Sequence, residues 1–167
     1  MVPKLKVKKI VTGGQTGVDR AAFDAALACG IEIAGYVPAG RAAEDGRIPD
    51  GYENLIETDS SDPAARTVLN VACSDATLII SRGALKGGSR LTLDAARTSG
   101  KPHLHLDLRK LTLKTAASVA TGWLTKNGVE TLNVAGSRAS EDAEIYTRAR
   151  GLLIRILRKQ QRLSEKQ

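Results

Sequence analysis

Aromatic residues are scarce in this chain, with one Phe, one Trp and three Tyr among 167 residues. Binding of single-stranded nucleic acid rests on stacking bases against aromatic side chains, so that class of function is disfavoured. The core must then be built from Ala, Val, Leu and Ile, which suits helices packed closely on a parallel sheet. Cysteine is limited to Cys29 and Cys73, far apart on apolar helical faces and without metal or redox spacing. No apolar run approaches the roughly 20 residues that span a bilayer. Met1-Val2-Pro3-Lys4 begins no signal peptide, so the chain is expected in the cytoplasm. Also missing are a Cys-His or Ser-His-Asp arrangement, a G-x-G-x-x-G fingerprint and a phosphate loop ending in Gly-Lys-Ser/Thr. No carboxylate pair is placed for acid–base work: Glu44 and Asp45 are adjacent, so an extended chain would point them to opposite sides.

Charge is unevenly spread. The net charge is +7, but residues 1–9 hold four Lys and no acid, and residues 147–167 contribute +6, leaving −3 for the segment between. The middle is therefore not basic, and the charge reads as solvated ends more than as a nucleic-acid surface. The length suits one well-buried core. We expect a single domain over 1–167, with 1–8 and 160–167 as basic, flexible ends.

What the chain does have is a glycine-rich stretch, Thr12-Gly13-Gly14-Gln15-Thr16-Gly17, between a short β-prone run ending at Val11 and a helical apolar stripe of Val18, Ala22, Ala25, Ala26 and Cys29. Such a strand–loop–helix junction aims unpaired helix N–H groups and the positive end of the helix dipole into the loop, where an anion is the natural occupant. Gly13 and Gly14 allow close backbone approach, and Gln15 and Thr16 add polar side chains. A tight turn without ligand is the plainer alternative, but it seldom needs so many glycines with polar donors between them.

Strands and helices alternate along the remainder. Strands are expected at 31–37, 55–58, 76–81, 103–108 and 129–135. Helices are expected from Pro63, capped by Asp62, with Ala64, Ala65, Val68, Leu69 and Ala72 buried; over 91–99; from Thr112 to Asn127; and at the C-terminus, with Glu141, Asp142 and Glu144 in its first turn. Residues 39–52 read as a long loop, a binding element or a surface excursion. This order predicts an α/β fold: a single-domain, Rossmann-like, three-layer α/β/α sandwich with a mostly parallel sheet. Ligands of such sheets bind beyond the carboxyl ends of the strands, and the loops Thr12–Gly17, Ser81–Ser89 and Asn133–Arg138 converge there.

Arg82 and Arg138 are placed to grip a phosphate or other oxyanion, with Arg20 and Arg41 as lesser candidates. Asp19 suits the helix dipole and can accept hydrogen bonds from a ligand ring. His103, His105 and Asp107 share one strand face, but the histidines fall toward the strand start, and a hydrogen-bonded, half-buried face explains them better than a metal.

These stretches resemble a known family. Residues 13–22, 40–46, 78–83, 87–93 and 132–138 are similar to the molybdenum cofactor carrier proteins, a branch of the Rossmann-like superfamily that also holds the lysine-decarboxylase-like LOG nucleotide hydrolases. The resemblance implies a protein that binds the molybdenum cofactor, a pterin (molybdopterin) with a phosphate-bearing tail, and stores or passes it on without turnover. It implies a site of Gly13, Gly14, Gln15, Thr16, Gly17 and Asp19 from the first loop, with Arg41. Ser81, Arg82, Gly83, Gly87, Gly88, Ser89 and Thr92 join from the second loop, and Gly136 and Arg138 from the third. A homo-oligomer is expected, with molybdoenzymes as recipients. The alternative is a LOG-type nucleoside monophosphate phosphoribohydrolase or a nucleotide sensor. LOG enzymes use Pro-Gly-Gly-x-Gly-Thr-x-x-Glu; here Lys86 to Asp94 lacks the proline, the third glycine and the glutamate, and Asp94 stands at the glutamate's count.

Overall fold

The computed structural model describes residues 4–164. In chain order these form β1 (Lys9–Val11), α1 (Val18–Ala28), β2 (Glu32–Val37), a 3-10 turn (Ala39–Arg41), β3 (Ala42–Ala43), β4 (Gly46–Arg47), β5 (Leu55–Glu57), α2 (Pro63–Ala72), β6 (Ala76–Ser81), α3 (Gly87–Ser99), β7 (His103–Asp107), α4 (Leu113–Lys126), β8 (Thr131–Gly136) and α5 (Ile145–Ser164). Six strands make one parallel sheet in the order β5-β2-β1-β8-β6-β7, while β3 and β4 pair as a separate antiparallel hairpin. The architecture is the single-domain α/β sandwich expected.

The chain winds outward from β1 through β2 to β5, returns to β6 and β7, and then inserts its last strand between β1 and β6. The carboxyl ends of β1, β8 and β6 therefore lie side by side at the sheet centre. Helices α1 and α4 both pack on α5, and α2 packs on α3. Strand β6 is buried at every position, as a central strand covered on both faces should be. Helix α5 places Ile145, Ala149, Leu152, Leu153, Ile156 and Leu157 in the core, a helical repeat wide enough to cover both α1 and α4.

Several local readings change. Helix α3 begins at Gly87, four residues earlier than the apolar pattern suggests, so Gly87-Gly88-Ser89 form its first turn. Helix α5 begins at Ile145, so Glu141, Asp142 and Glu144 precede it, and two of them bond loop N–H groups: Glu141 accepts from Arg138 N at 2.9 Å and Asp142 from Glu144 N at 3.0 Å. Helix α2 buries a different face. Arg66, Thr67, Asn70 and Val71 point inward, whereas Val68 is 56% and Leu69 39% exposed. Parts of the expected ends carry structure: Leu5 and Val7 are core residues, α5 continues to Ser164, and Gln160 donates to Val7 O at 2.7 Å. The remainder of the expected ends, 1–3 and 165–167, lies outside the described residues.

Close packing at the sheet's upper edge depends on glycine. A Cβ on Gly35 would sit 1.9 Å from Thr12 O, and one on Gly136 would sit 2.0 Å from Ile80 O. Gly122 differs, being on an exposed turn of α4 with nothing within 4 Å of its Cβ position. Gly35→Ala is therefore expected to lower stability by about 1–3 kcal/mol or more, and Gly122→Ala to raise it by about 0.5–1 kcal/mol through helix propensity. Thermal and urea unfolding of the two variants check the opposite signs.

Candidate functional site

At the central strand ends a narrow cleft opens between the first loop, α2, the start of α3 and the segment after β8. Of the expected residues, Gln15, Asp19, Gly88, Ser89, Thr92, Gly136 and Arg138 line it. Gly13 borders a small inner extension. Gly14, Thr16, Gly17, Arg41, Ser81, Arg82, Gly83 and Gly87 are not among the lining residues.

Part of the first loop's amides is taken up within the chain. Gln15 N donates to Asp19 Oδ2 at 3.1 Å, and Thr16 N donates to Gln15 Oε1 at 3.0 Å. The side chains of Asp19 and Gln15 thus take up two loop donors, and Val18 N, at the helix start, goes to Ser137 O at 3.1 Å. The glycines likewise make room for the chain: a Cβ on Gly13 would lie 1.3 Å from Arg66 Nη1, one on Gly14 2.8 Å from Ile48 Cδ1, and one on Gly17 2.3 Å from Ser137 O.

Arg66 is the residue that the sequence reading missed. Its guanidinium lies over Gly13 and is 3.5 Å from Asp19 Oδ2, with both residues over nine-tenths buried. Its Nε is buried without a hydrogen-bond partner. Burial pushes the Asp19 carboxyl above the usual range, and the attraction of Arg66 offsets this only in part. A usable signal existed: Arg66, Thr67 and Asn70 share one stripe of α2, and a polar stripe facing a rim of polar loops is where a ligand would lie.

The other arginines divide sharply. The Arg138 guanidinium stands 3.8 Å from the Cβ position of Gly88, at the start of α3, and makes no side-chain hydrogen bond or ion pair among the described residues. Arg82 instead pairs with Asp142, at 3.2 Å, and with Glu144; hydrogen bonding to Arg82 holds the Glu144 carboxyl below its ordinary value. Arg41 donates to the carbonyls of Ile48, Pro49 and Tyr52 at 3.2, 2.8 and 3.0 Å. Its job is to fold the 39–52 segment. Arg20 bonds Gly14 O at 3.2 Å and Asp45 at 2.5 and 2.8 Å.

That segment is an ordered flap. At the tip of the β3–β4 hairpin, Glu44 N donates to Gln15 Oε1 at 2.9 Å, and the Glu44 carboxylate accepts from Thr16 Oγ1, from Ser140 Oγ at 2.6 Å and from Ser140 N at 3.2 Å. Burial acts to raise the Glu44 carboxyl, but the donors on Ser140 and Thr16 outweigh it and the net shift is downward. Asp45 is lowered by its hydrogen bonds from Arg20. Adjacent carboxylates thus serve different partners.

Beside the cleft, Ser81 Oγ lies 2.7 Å from His105 Nε2. The hydroxyl gives its one proton to Gly83 O, at 2.7 Å, so Nε2 must carry hydrogen and cannot act as a base toward it. Burial lowers the His105 pKa. Asp107 accepts from Gly83 N at 2.7 Å and Arg109 N at 2.9 Å, which lowers its pKa and fixes the loop after β6. The strand face read as hydrogen-bonded is so for His105, while His103 meets Lys101 O at 3.1 Å.

Comparison with known proteins agrees with this architecture. Over 92% of this chain and 97% of the other, the fold superposes with a TM-score of 0.90 and 47% identity on the crystal structure, at 1.45 Å resolution, of a "Putative molybdenum carrier protein" from Syntrophus aciditrophicus SB. No curated protein matches the chain. Residues 10–157 match the family described as "Circularly permutated YpsA SLOG family", a span that takes in all of the sheet except Lys9, the first residue of β1. On that match and on its close relation to the molybdenum carrier structure, the chain belongs to the circularly permutated YpsA SLOG family.

Proposed function

We propose that this protein binds the phosphorylated pterin of the molybdenum cofactor in the cleft and stores or delivers it, in the cytoplasm, without turning it over. The observation that carries the reading is Arg138, a guanidinium at the cleft that feels the charges of Asp19 and Glu44 but makes no side-chain hydrogen bond or ion pair among the described residues, beside the glycine start of α3. A helix start favours an anion, and an arginine can grip phosphate through two parallel hydrogen bonds. Gly88 leaves the open space in which a phosphate would meet the α3 backbone. The name of the relative supplies molybdenum as the cargo. The residues present fit a phosphate-bearing ligand: Arg138 and the α3 start would hold the phosphate, Ser89 and Thr92 border it, and Gln15 and Asp19 offer acceptors further in.

The placement of Asp94 favours a carrier over a LOG-type hydrolase. Its carboxylate pairs with Arg90 at 3.4 Å, is 53% exposed and borders a groove with Val68, Ala72 and Ala95, away from the cleft. Glu141 does line the cleft, but one of its oxygens is held by Arg138 N.

Calorimetric titration with a pterin monophosphate tests the reading. Arg138→Ala is expected to weaken binding by about 1–3 kcal/mol, whereas Arg82→Ala, whose guanidinium is already paired, should change little. Arg155→Ala on α5 serves as a control for general electrostatics. Equal losses in all three would overturn the assignment of the phosphate to Arg138.

Flap closure should depend on pH. The Glu44 and Asp45 carboxyls are both held below their ordinary values, so their contribution to the closed flap is complete above the ordinary carboxyl range and is lost as pH falls through the lowered values. In NMR spectra, the amide signals of residues 43–47 should move on acidification from pH 6. In Glu44→Gln at pH 6 they should already be displaced toward the acid positions; wild-type positions in that variant would show that the carboxylate does not hold the flap.

A further inference from the structure

We propose that the face shared by α4 and α5 is a docking surface for another protein, and that its occupant is an acidic, amphipathic helical segment laid into the groove between the two helices. The inference is independent of what the cleft binds, because the groove and the cleft share no lining residue.

The basic charge of the C-terminal segment is not spread along a free end. Helix α5, over Ile145–Ser164, and its neighbour α4, over Leu113–Lys126, contain no Asp or Glu, while α4 carries two Lys or Arg and α5 six. Five of these cations, Lys114, Arg155, Arg158, Lys159 and Arg162, line one groove of about 590 Å³. All five are exposed, and none forms an ion pair with an acid among the described residues. Arg158 meets the Cys29 thiol, whose pKa burial pushes up, so that it carries no charge to offset the guanidinium. Helix stability accounts for part of this pattern, since cations near a helix C-terminus complement the dipole, which suits Arg158, Lys159 and Arg162. It does not account for Lys114, in the first turn of α4, where the dipole has the same sign as the side chain. Like charges held side by side repel one another, a cost that an acidic partner removes.

The shape of the groove narrows the occupant. On α5 the cations stand at positions 155, 158, 159 and 162, the spacing of one helical stripe, and so form a row about 10 Å long. An acidic stripe of the same period on a second helix would meet that row charge for charge. Between the cations of α5 and Lys114 lie Ala117 and Ile154, half-buried and packed on the core. The occupant therefore needs an apolar face as well as acids, which is the composition of an amphipathic helix. A nucleic-acid backbone offers no such face, and the groove has no aromatic side chain on which a base could stack. A second copy paired through the same two helices would set these cations against one another, and like charges across an interface cost several kcal/mol.

The test is fluorescence anisotropy of two dye-labelled peptides of about 15 residues, long enough to form a helix, titrated with the whole chain. One peptide has leucines along one helical face and glutamates along the other, and in its counterpart every glutamate is replaced by glutamine. The acidic peptide is expected to bind at least about tenfold more tightly than the glutamine peptide. Lys159→Glu, within the row, should weaken the acidic peptide at least about tenfold, whereas Arg97→Glu, an exposed charge reversal near the end of α3, should change it by no more than about threefold. Equal losses in the two variants would show general electrostatics, and equal binding of the two peptides a purely apolar contact; either overturns the proposal. A short DNA duplex that binds more tightly than the acidic peptide, and is weakened by Lys159→Glu but not by Arg97→Glu, overturns it in favour of nucleic acid. Absence of binding by the acidic peptide overturns it as well. Thermal unfolding checks that both variants fold; if Lys159→Glu does not, Lys159→Gln takes its place, with an expected loss of at least about threefold.

Discussion

A buried, loosely made ion pair sets the terms for the upper half of this molecule. Arg66 reaches from α2 across the glycine loop to Asp19 on α1, and both groups are nearly out of water. Removing charges from water is costly unless partners satisfy them, so the surrounding chain is shaped to admit the pair. Gly13 must lack a side chain, because a Cβ there would overlap the guanidinium. Helix α2 must turn its polar stripe inward, which leaves Val68 and Leu69 facing out. At 3.5 Å the pair does not satisfy itself, and both residues line the cleft.

The second constraint is how positive charge is distributed around the rim. Arg20, Arg41 and Arg82 are bound to acids or carbonyls of neighbouring segments and work as braces. Through them the flap is tied to α1, and the loop after β6 to the approach of α5. Arg138 has no such tie. A guanidinium already bonded to carboxylates has little to offer a phosphate, so the proposed anion position lies at the start of α3. The same logic disposes of the apparent serine–histidine pair, in which Ser81 spends its proton on the Gly83 carbonyl.

Family membership and site geometry bear on different parts of the functional reading. The 47% identity to a molybdenum carrier over nearly the whole chain shows the family and lends it the cargo as a hypothesis. The choice between phosphate and flap contacts comes from which donors and acceptors the fold leaves open. Glu44 illustrates this: its carboxylate collects donors from Thr16 and Ser140 and so fastens the flap at the edge of the cleft.

The sequence by itself determined the succession of strands and helices, the parallel sheet and the rim where loops gather, because apolar periodicity and glycine stops are local signals that survive without knowledge of neighbours. Strand β6, read from a continuous apolar run, is an example. Helix starts were less legible at Gly87 and Ile145, where loop residues and not apolar spacing set the first turn. Only the tertiary structure decided which face of α2 is buried and which arginine stays free. Arg66 meets Asp19 across 47 positions, and Arg82 meets Asp142 across 60. Charges are satisfied by whatever lies nearest in space, so their partners cannot be read from spacing along the chain.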